Sequence, residues 1–159
     1  MTEDLHRRFG LEANNETWRL LDEGPPGPES SPDERARFLY RAYASAYHWM
    51  ETAAGNGANW ARGEHLIARA AVSVGLADVG LRHAERCLQL CEEHGELVED
   101  WDLAFAEEAI ARAHAGRGDT EAARKHHEKA SARGAAIADD DDREVFLAEL
   151  ARGPWFGLE

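Results

Sequence analysis

Two stretches of this chain, 43 residues apart, share one pattern of residue size and charge, and this internal repeat limits the fold more than any other feature. The repeated region spans residues 59–137. When the chain is shifted on itself by 43 residues, the matched pairs are Ile67 with Ile110, Arg69 with Arg112, Gly75 with Gly118 and His83 with His126. A unit that occurs twice at a fixed period predicts stacked copies of one supersecondary element.

Apolar spacing and helix-end signals identify that element as a pair of helices. Side chains such as Trp60, Ile67 and Val74 recur at three- and four-residue intervals, and Gly75 closes the stretch. Short turns between long helices predict antiparallel neighbours, so we expect an all-α protein built from helical hairpins. The predicted helices after the first proline-rich segment cover residues 32–54, 59–74, 77–94, 98–115, 120–136 and 141–151.

Proline, glycine and apolar residues divide the chain into three parts. Residues 1–31 form an N-terminal arm, with short helices expected at 2–9 and 15–21, followed by a linker of prolines and glycines. Residues 32–152 form the helical domain, which begins with Ser31 as the N-cap and Pro32 in the first turn. Residues 153–159 form a tail in which Trp155 and Phe156 are expected to fold back onto the domain or onto a second copy, giving a homodimer.

The matched residues resemble the tetratricopeptide repeat. The frame of that family is visible twice, first in Ile67-Ala68, Gly75, Gly80, Ala84 and Cys87, then in Ile110-Ala111, Gly118-Asp119, Ala123, His127 and Ala130. The chain departs from the family because its period is 43 residues instead of 34, because Ala84 and His127 replace the usual aromatic residue, and because no proline ends the second helix. The resemblance covers about half of the chain and implies a short, right-handed α-solenoid.

This resemblance also implies what such a protein does. Repeats of this family usually bind a protein or peptide segment along a concave face, and no catalytic residue carries over to this chain. We therefore expect a non-enzymatic scaffold or adaptor without a cofactor. The face is formed by the first helix of each pair, and its predicted binding residues, joined by two tyrosines from the preceding helix, are Tyr43, Tyr47, Arg62, His65, Arg69, Phe105, Glu108 and Arg112.

Arg69 and Arg112 occupy equivalent repeat positions and are expected to lie side by side. Two planar guanidinium groups in a groove suit a carboxylate on the bound segment. One alternative is that both arginines form structural ion pairs with Glu64 and Glu108. Another is a small-molecule sensor or enzyme that uses the same His65, Arg69, Glu108 and Arg112 face. An open trough favours the peptide, and a closed pocket with a deeply buried histidine favours the small molecule.

Charge and composition exclude several other classes of function. The formal net charge is −13, which repels a phosphate backbone, so nucleic acid is not an expected partner. No apolar run approaches 18 residues and the N-terminus does not have the form of a signal peptide, so we expect a cytoplasmic protein without a membrane span.

Two further clusters carry weaker signals. The helix that holds His83, Cys87, Cys91 and His94 is straight and cannot wrap four ligands around one ion, so no metal site is expected. Every charged residue between Cys87 and Ala111 is acidic, from Glu92 to Glu108. We interpret this stretch as a solvated surface, with docking of a basic partner as the alternative.

Overall fold

The computed structural model describes residues 4–158, which form seven α-helices and no β-strand. The prediction of an all-α protein is therefore confirmed for this part of the chain. The helices are α1 (Leu5–Glu23), α2 (Pro32–Glu51), α3 (Gly57–Ser73), α4 (Ala77–Glu93), α5 (Asp100–Arg117), α6 (Thr120–Ala135) and α7 (Asp140–Ala151). Across residues 4–158, every helix is too short or too polar to cross a bilayer.

The helix ends follow local sequence signals closely. Ser31 and Glu34 form a reciprocal capping box at the start of α2, with Pro32 at the first helical position. Asp119 and Asp139 cap α6 and α7 by accepting hydrogen bonds from the backbone NH groups three residues later. All six helices predicted after residue 31 are present, with ends displaced by three residues or fewer.

The N-terminal arm differs from its prediction. Residues 5–23 form one continuous helix of 19 residues instead of two short ones, and the expected start at Thr2 lies outside the described residues. This helix packs along α2 and also touches α3. Gly10 makes the packing close, since a Cβ atom there would lie 3.2 Å from the ring of Trp49, and its carbonyl accepts a hydrogen bond from the buried Ser45 hydroxyl at 2.9 Å. Tertiary contact with α2 therefore supports a helix whose own sequence has few apolar residues.

The helices pack in a regular order. Beyond its contact with α1, α2 also packs against α3. α3 packs mainly against α4, and α5 against α6, which gives two antiparallel hairpins joined by short turns. α3 also lies beside α5, and α5 beside α7. Within the first hairpin, α3 and α4 approach closely at Gly80, where an added Cβ atom would lie 2.6 Å from the Val72 side chain.

The repeat appears in the contacts as well as in the sequence. Glu64 on α3 pairs with His83 on α4, and Glu107 on α5 pairs with His126 on α6 at 2.7 Å. The two pairs are related by the 43-residue shift, so each hairpin is tied together by the same glutamate–histidine contact.

Ile67 and Ile110 are buried at equivalent positions, as the repeat predicts. Replacing either with alanine is expected to lower the free energy of unfolding by about 2–5 kcal/mol, because each substitution leaves a cavity in a packed core. Urea unfolding of the two variants measures this loss. Val145→Ala on the exposed side of α7 is the control and should change stability by less than about 0.5 kcal/mol. Midpoints for Ile67→Ala and Ile110→Ala that match this control would contradict the predicted core.

The C-terminal tail only partly follows its prediction. Trp155 folds back and donates a hydrogen bond from Nε1 to the carbonyl of Leu150 at 2.9 Å, while its ring packs against His127. Phe156 is less well covered and remains 47% exposed within this chain. Arg152 pairs with Asp22, which joins the ends of α7 and α1.

Candidate functional site

Six of the eight predicted binding residues lie on the adjoining helices α3 and α5. Arg62, His65 and Arg69 follow one side of α3, while Phe105, Glu108 and Arg112 follow the facing side of α5. The structure therefore brings these six residues together. Four of them are buried, namely His65, Arg69, Glu108 and Arg112.

Glu108 is the centre of this cluster and is completely buried. Its carboxylate accepts a hydrogen bond from His65 Nε2 at 3.1 Å and from Arg69 Nη1 at 3.0 Å, and it also pairs with Arg112 Nε. Burial acts to raise the pKa of Glu108, but Arg69, Arg112 and the hydrogen bond from His65 together hold it well below its ordinary value. Glu108 is consequently an ionised acceptor, and the shared proton stays on His65 Nε2.

The two arginines are fully engaged within the protein. Arg69 Nη2 donates to Glu149 Oε1 on α7 at 2.8 Å. Arg112 Nη2 donates to the carbonyl oxygens of Glu149 at 2.8 Å and Arg152 at 2.9 Å, and its guanidinium lies 4.1 Å from the centre of the Trp155 ring. The predicted ion pairs with Glu108 are therefore present, whereas Glu64 pairs with His83 instead.

Arg62 is placed differently from the other two arginines. Its Nε and Nη2 atoms donate to both oxygens of the buried Asp102 at 2.9 and 2.8 Å, and its guanidinium lies 4.5 Å from the centre of the Trp101 ring. The side chain is nevertheless 38% exposed. This bidentate pair holds a guanidinium group in a fixed orientation at the surface of the cluster.

A cavity of about 220 Å³ lies beside this cluster, between α1, α3 and α5. Its wall is mainly aromatic, because the Trp18 ring stacks on His65 at 5.7 Å and Phe105 makes a T-shaped contact with the same imidazole at 5.3 Å. The lining residues are Asn14, Trp18, Arg62, His65, Cys87, Trp101, Asp102 and Phe105. An apolar hollow with a few polar groups at its wall has the chemistry of a binding pocket.

Tyr43 and Tyr47 do not flank this cluster. The Tyr43 hydroxyl hydrogen-bonds His83 Nε2 at 2.7 Å, on the side of α2 that faces α4. The Tyr47 ring instead packs against His6 and His48, and more than half of the residue is exposed. The two tyrosines thus belong to the outer surface of α2.

Sequence reasoning missed several residues of the site. Asp102 lies three residues before the position that matches Arg62 in the next repeat, so the register gave no reason to pair them. Trp18 belongs to the N-terminal arm and Glu149 to the helix after the second repeat, so both lie outside the repeated region. The sequence contains one signal for these residues. Arg62 and Asp102 have opposite charges and lie near the starts of α3 and α5, the first helices of the two hairpins.

The two cysteines are buried and free. A hydrogen bond to Cys91 and burial both raise the pKa of Cys87, with the hydrogen bond as the larger cause. Within residues 4–158, no group of three or more histidine, cysteine or acidic side chains is arranged to hold a metal ion.

Comparison of the chain with protein families, with curated proteins and with solved structures gave no match.

Proposed function

We propose that this protein is a non-enzymatic binding module of tetratricopeptide type, a short right-handed α-solenoid that holds a protein or peptide segment on the face formed by α3 and α5. The order of helix packing supports this architecture, because α5, the first helix of the second hairpin, packs against both α4 and α3 of the first hairpin. The glutamate–histidine pair that recurs after 43 residues supports it as well.

The cavity beside Trp18, Trp101 and Phe105 is the observation that carries the proposal. Its volume of about 220 Å³ is below the roughly 300–1,000 Å³ of pockets for drug-sized ligands, and it suits a single apolar side chain of a bound segment. Arg62 stands at the wall with its orientation fixed by Asp102, and it offers Nη1 to a carboxylate of the same segment. Arg69, Arg112 and Glu108 hold α3, α5 and α7 together behind this pocket.

The buried charges support a binding role over acid–base catalysis. Glu108 is a weak base, because two arginines and a histidine favour its ionised form. Its oxygen atoms are already occupied by those partners.

Substitution at Asn14 tests the proposal. Asn14 lines the cavity from α1, whereas its neighbour Asn15 is exposed and does not line it. Peptides selected from a random twelve-residue display library are measured by fluorescence anisotropy against wild type, Asn14→Trp and Asn15→Trp. We expect Asn14→Trp to fill the pocket and weaken binding at least about tenfold, as loss of a central anchor does, while Asn15→Trp leaves affinity unchanged. Failure to select any peptide, or equal affinity for both variants, would contradict the proposal.

The burial of His65 beneath Trp18 favours a second candidate, a small aromatic ligand in place of a peptide. A library of aromatic fragments, screened by thermal shift on the same three proteins, distinguishes the two. Fragments that stabilise wild type and Asn15→Trp but not Asn14→Trp, in the absence of any selected peptide, would establish the small-ligand candidate.

A further inference from the structure

The outer surface of α2 carries a stripe of large apolar side chains that the rest of the described chain leaves partly exposed. Tyr40, Tyr43, Tyr47 and Met50 are 68%, 38%, 55% and 66% exposed. They lie on the side of the helix opposite Phe38, Ala42 and Ser45, which face the core and are almost completely buried. α2 is thus apolar on both sides. Its core side is almost completely buried, whereas the stripe stays 38–68% exposed despite the contacts of Tyr43 with His83 and of Tyr47 with His6.

The stripe has the composition of an interface, and it is a large apolar patch for a single chain. With about 150–250 Å² available per large side chain, these four residues expose on the order of 450 Å², which is comparable to the largest apolar patches of monomeric proteins. Tyrosine, methionine and arginine are enriched in the cores of protein–protein interfaces, and lysine is depleted. Arg37 lies at the edge of the stripe on α2, and the chain has no lysine before residue 125.

The spacing of the stripe identifies the kind of partner that fits. Its members are separated by three, four and three residues, which is the seam of a helix that packs along another helix. We propose that this stripe is a homodimer interface, in which α2 of one copy packs antiparallel to α2 of a second copy across a twofold axis.

Charge complementarity favours a second copy of this chain as the partner and an antiparallel arrangement of the two α2 helices. Arg37, Ala44 and Glu51 are spaced by seven residues, so they follow one edge of the stripe, and both charged residues are exposed. An antiparallel pairing centred near Ala44 places Arg37 opposite Glu51 of the second copy, and the twofold axis repeats this pair. An in-register parallel pairing would place Arg37 opposite Arg37 and Glu51 opposite Glu51, which is unfavourable.

Charge reversal at these two positions tests the proposal. The full chain and its variants are compared by sedimentation equilibrium, which yields the dimer dissociation constant. We expect wild type to dimerise, and Arg37→Glu and Glu51→Arg each to weaken the dimer about tenfold, because two attractive pairs become repulsive. The double variant Arg37→Glu/Glu51→Arg should restore the dissociation constant to within about twofold of wild type, since it exchanges the signs and keeps both pairs.

Two matched controls and one deletion complete the experiment. Lys129→Glu and Glu128→Arg, both exposed on α6, make the same changes in net charge away from α2 and should leave the dimer intact. Tyr40→Glu should abolish dimerisation, because it places a charge within the stripe without removing a core contact. A monomer at every concentration, single reversals that match the controls, or a double variant that fails to recover would overturn the proposal. A variant that lacks only residues 154–159 should remain a dimer. If it does not, the interface belongs to the tail and the proposal is overturned.

Discussion

Replacing Glu108 with glutamine is expected to lower the free energy of unfolding by about 3–5 kcal/mol, the range for breaking a buried ion pair by removing one partner. Glutamine keeps the size of the side chain but removes the charge that compensates Arg69 and Arg112. Arg69 would then keep the carboxylate of Glu149 as its partner, whereas Arg112 would keep the backbone carbonyl oxygens of Glu149 and Arg152. The loss is large because water cannot replace the missing charge at a site without solvent access.

Urea unfolding at pH 7 measures this effect, with Glu93→Gln as the control. Glu93 forms an exposed pair with Arg86 at 3.5 Å, and such surface pairs contribute about 0–1 kcal/mol. The same chemical change should therefore have a large effect at Glu108 and almost none at Glu93. Equal midpoints for the two variants would show that the buried cluster does not hold α3, α5 and α7 together.

The ionisation of Glu108 makes the free energy of unfolding depend on pH in a defined direction. The pKa of Glu108 in the folded protein lies well below its ordinary value of 4.5, so the folded state favours the ionised form. Its contribution to stability is present above the unfolded pKa near 4.5 and is lost as the pH falls below that value. The stability difference between wild type and Glu108→Gln should therefore be constant near neutral pH and narrow progressively below about pH 4.5. A difference that widens on acidification would contradict this assignment.

Replacing Phe146 with alanine is expected to cost about 3–5 kcal/mol, as for other fully buried aromatic residues. The ring has no exposed surface, and it packs with Ile137, Ala104 and Leu150 where α5 and α7 meet. It also lies directly on the backbone of α6, since a Cβ atom on Gly134 would be 2.3 Å from a ring carbon. Backbone on that side cannot move inward to refill the space, so a cavity remains.

Phe156→Ala is the matched control for this prediction. Phe156 lies ten residues further along the chain and is 47% exposed, so its removal should change stability by less than about 1 kcal/mol. Thermal unfolding of both variants, together with far-ultraviolet circular dichroism, measures the difference. A small effect at Phe146, comparable to that at Phe156, would mean that α7 is not part of the cooperative core.

The helices themselves were predictable because their signals are local. The capping box of Ser31 and Glu34, the aspartate caps at Asp119 and Asp139, and the glycine at 118 each act within one helical turn. The buried positions of Ile67 and Ile110 followed from periodicity, because one face of each hairpin helix must meet its partner.

The candidate site was only partly predictable. Periodicity placed His65, Arg69, Glu108 and Arg112 on facing helices, and the structure brings them together. It could not show whether the arginines face solvent or carboxylates, because this depends on α7, which follows the second repeat. Nor could it assign Trp18 to the pocket, since α1 lies outside the repeated region.

The sequence by itself determined the helical class, the helix ends after residue 31 and the 43-residue equivalence of the two hairpins, because these depend on neighbours within a turn or on a repeated pattern. Tertiary structure alone decided that α1 is continuous, that Trp18 covers His65, and that Glu149 and the backbone beyond it engage Arg69 and Arg112. These contacts join residues separated by 37–80 positions. Pairings at such separations depend on the angles and distances at which helices pack, and no local pattern of residue types specifies those.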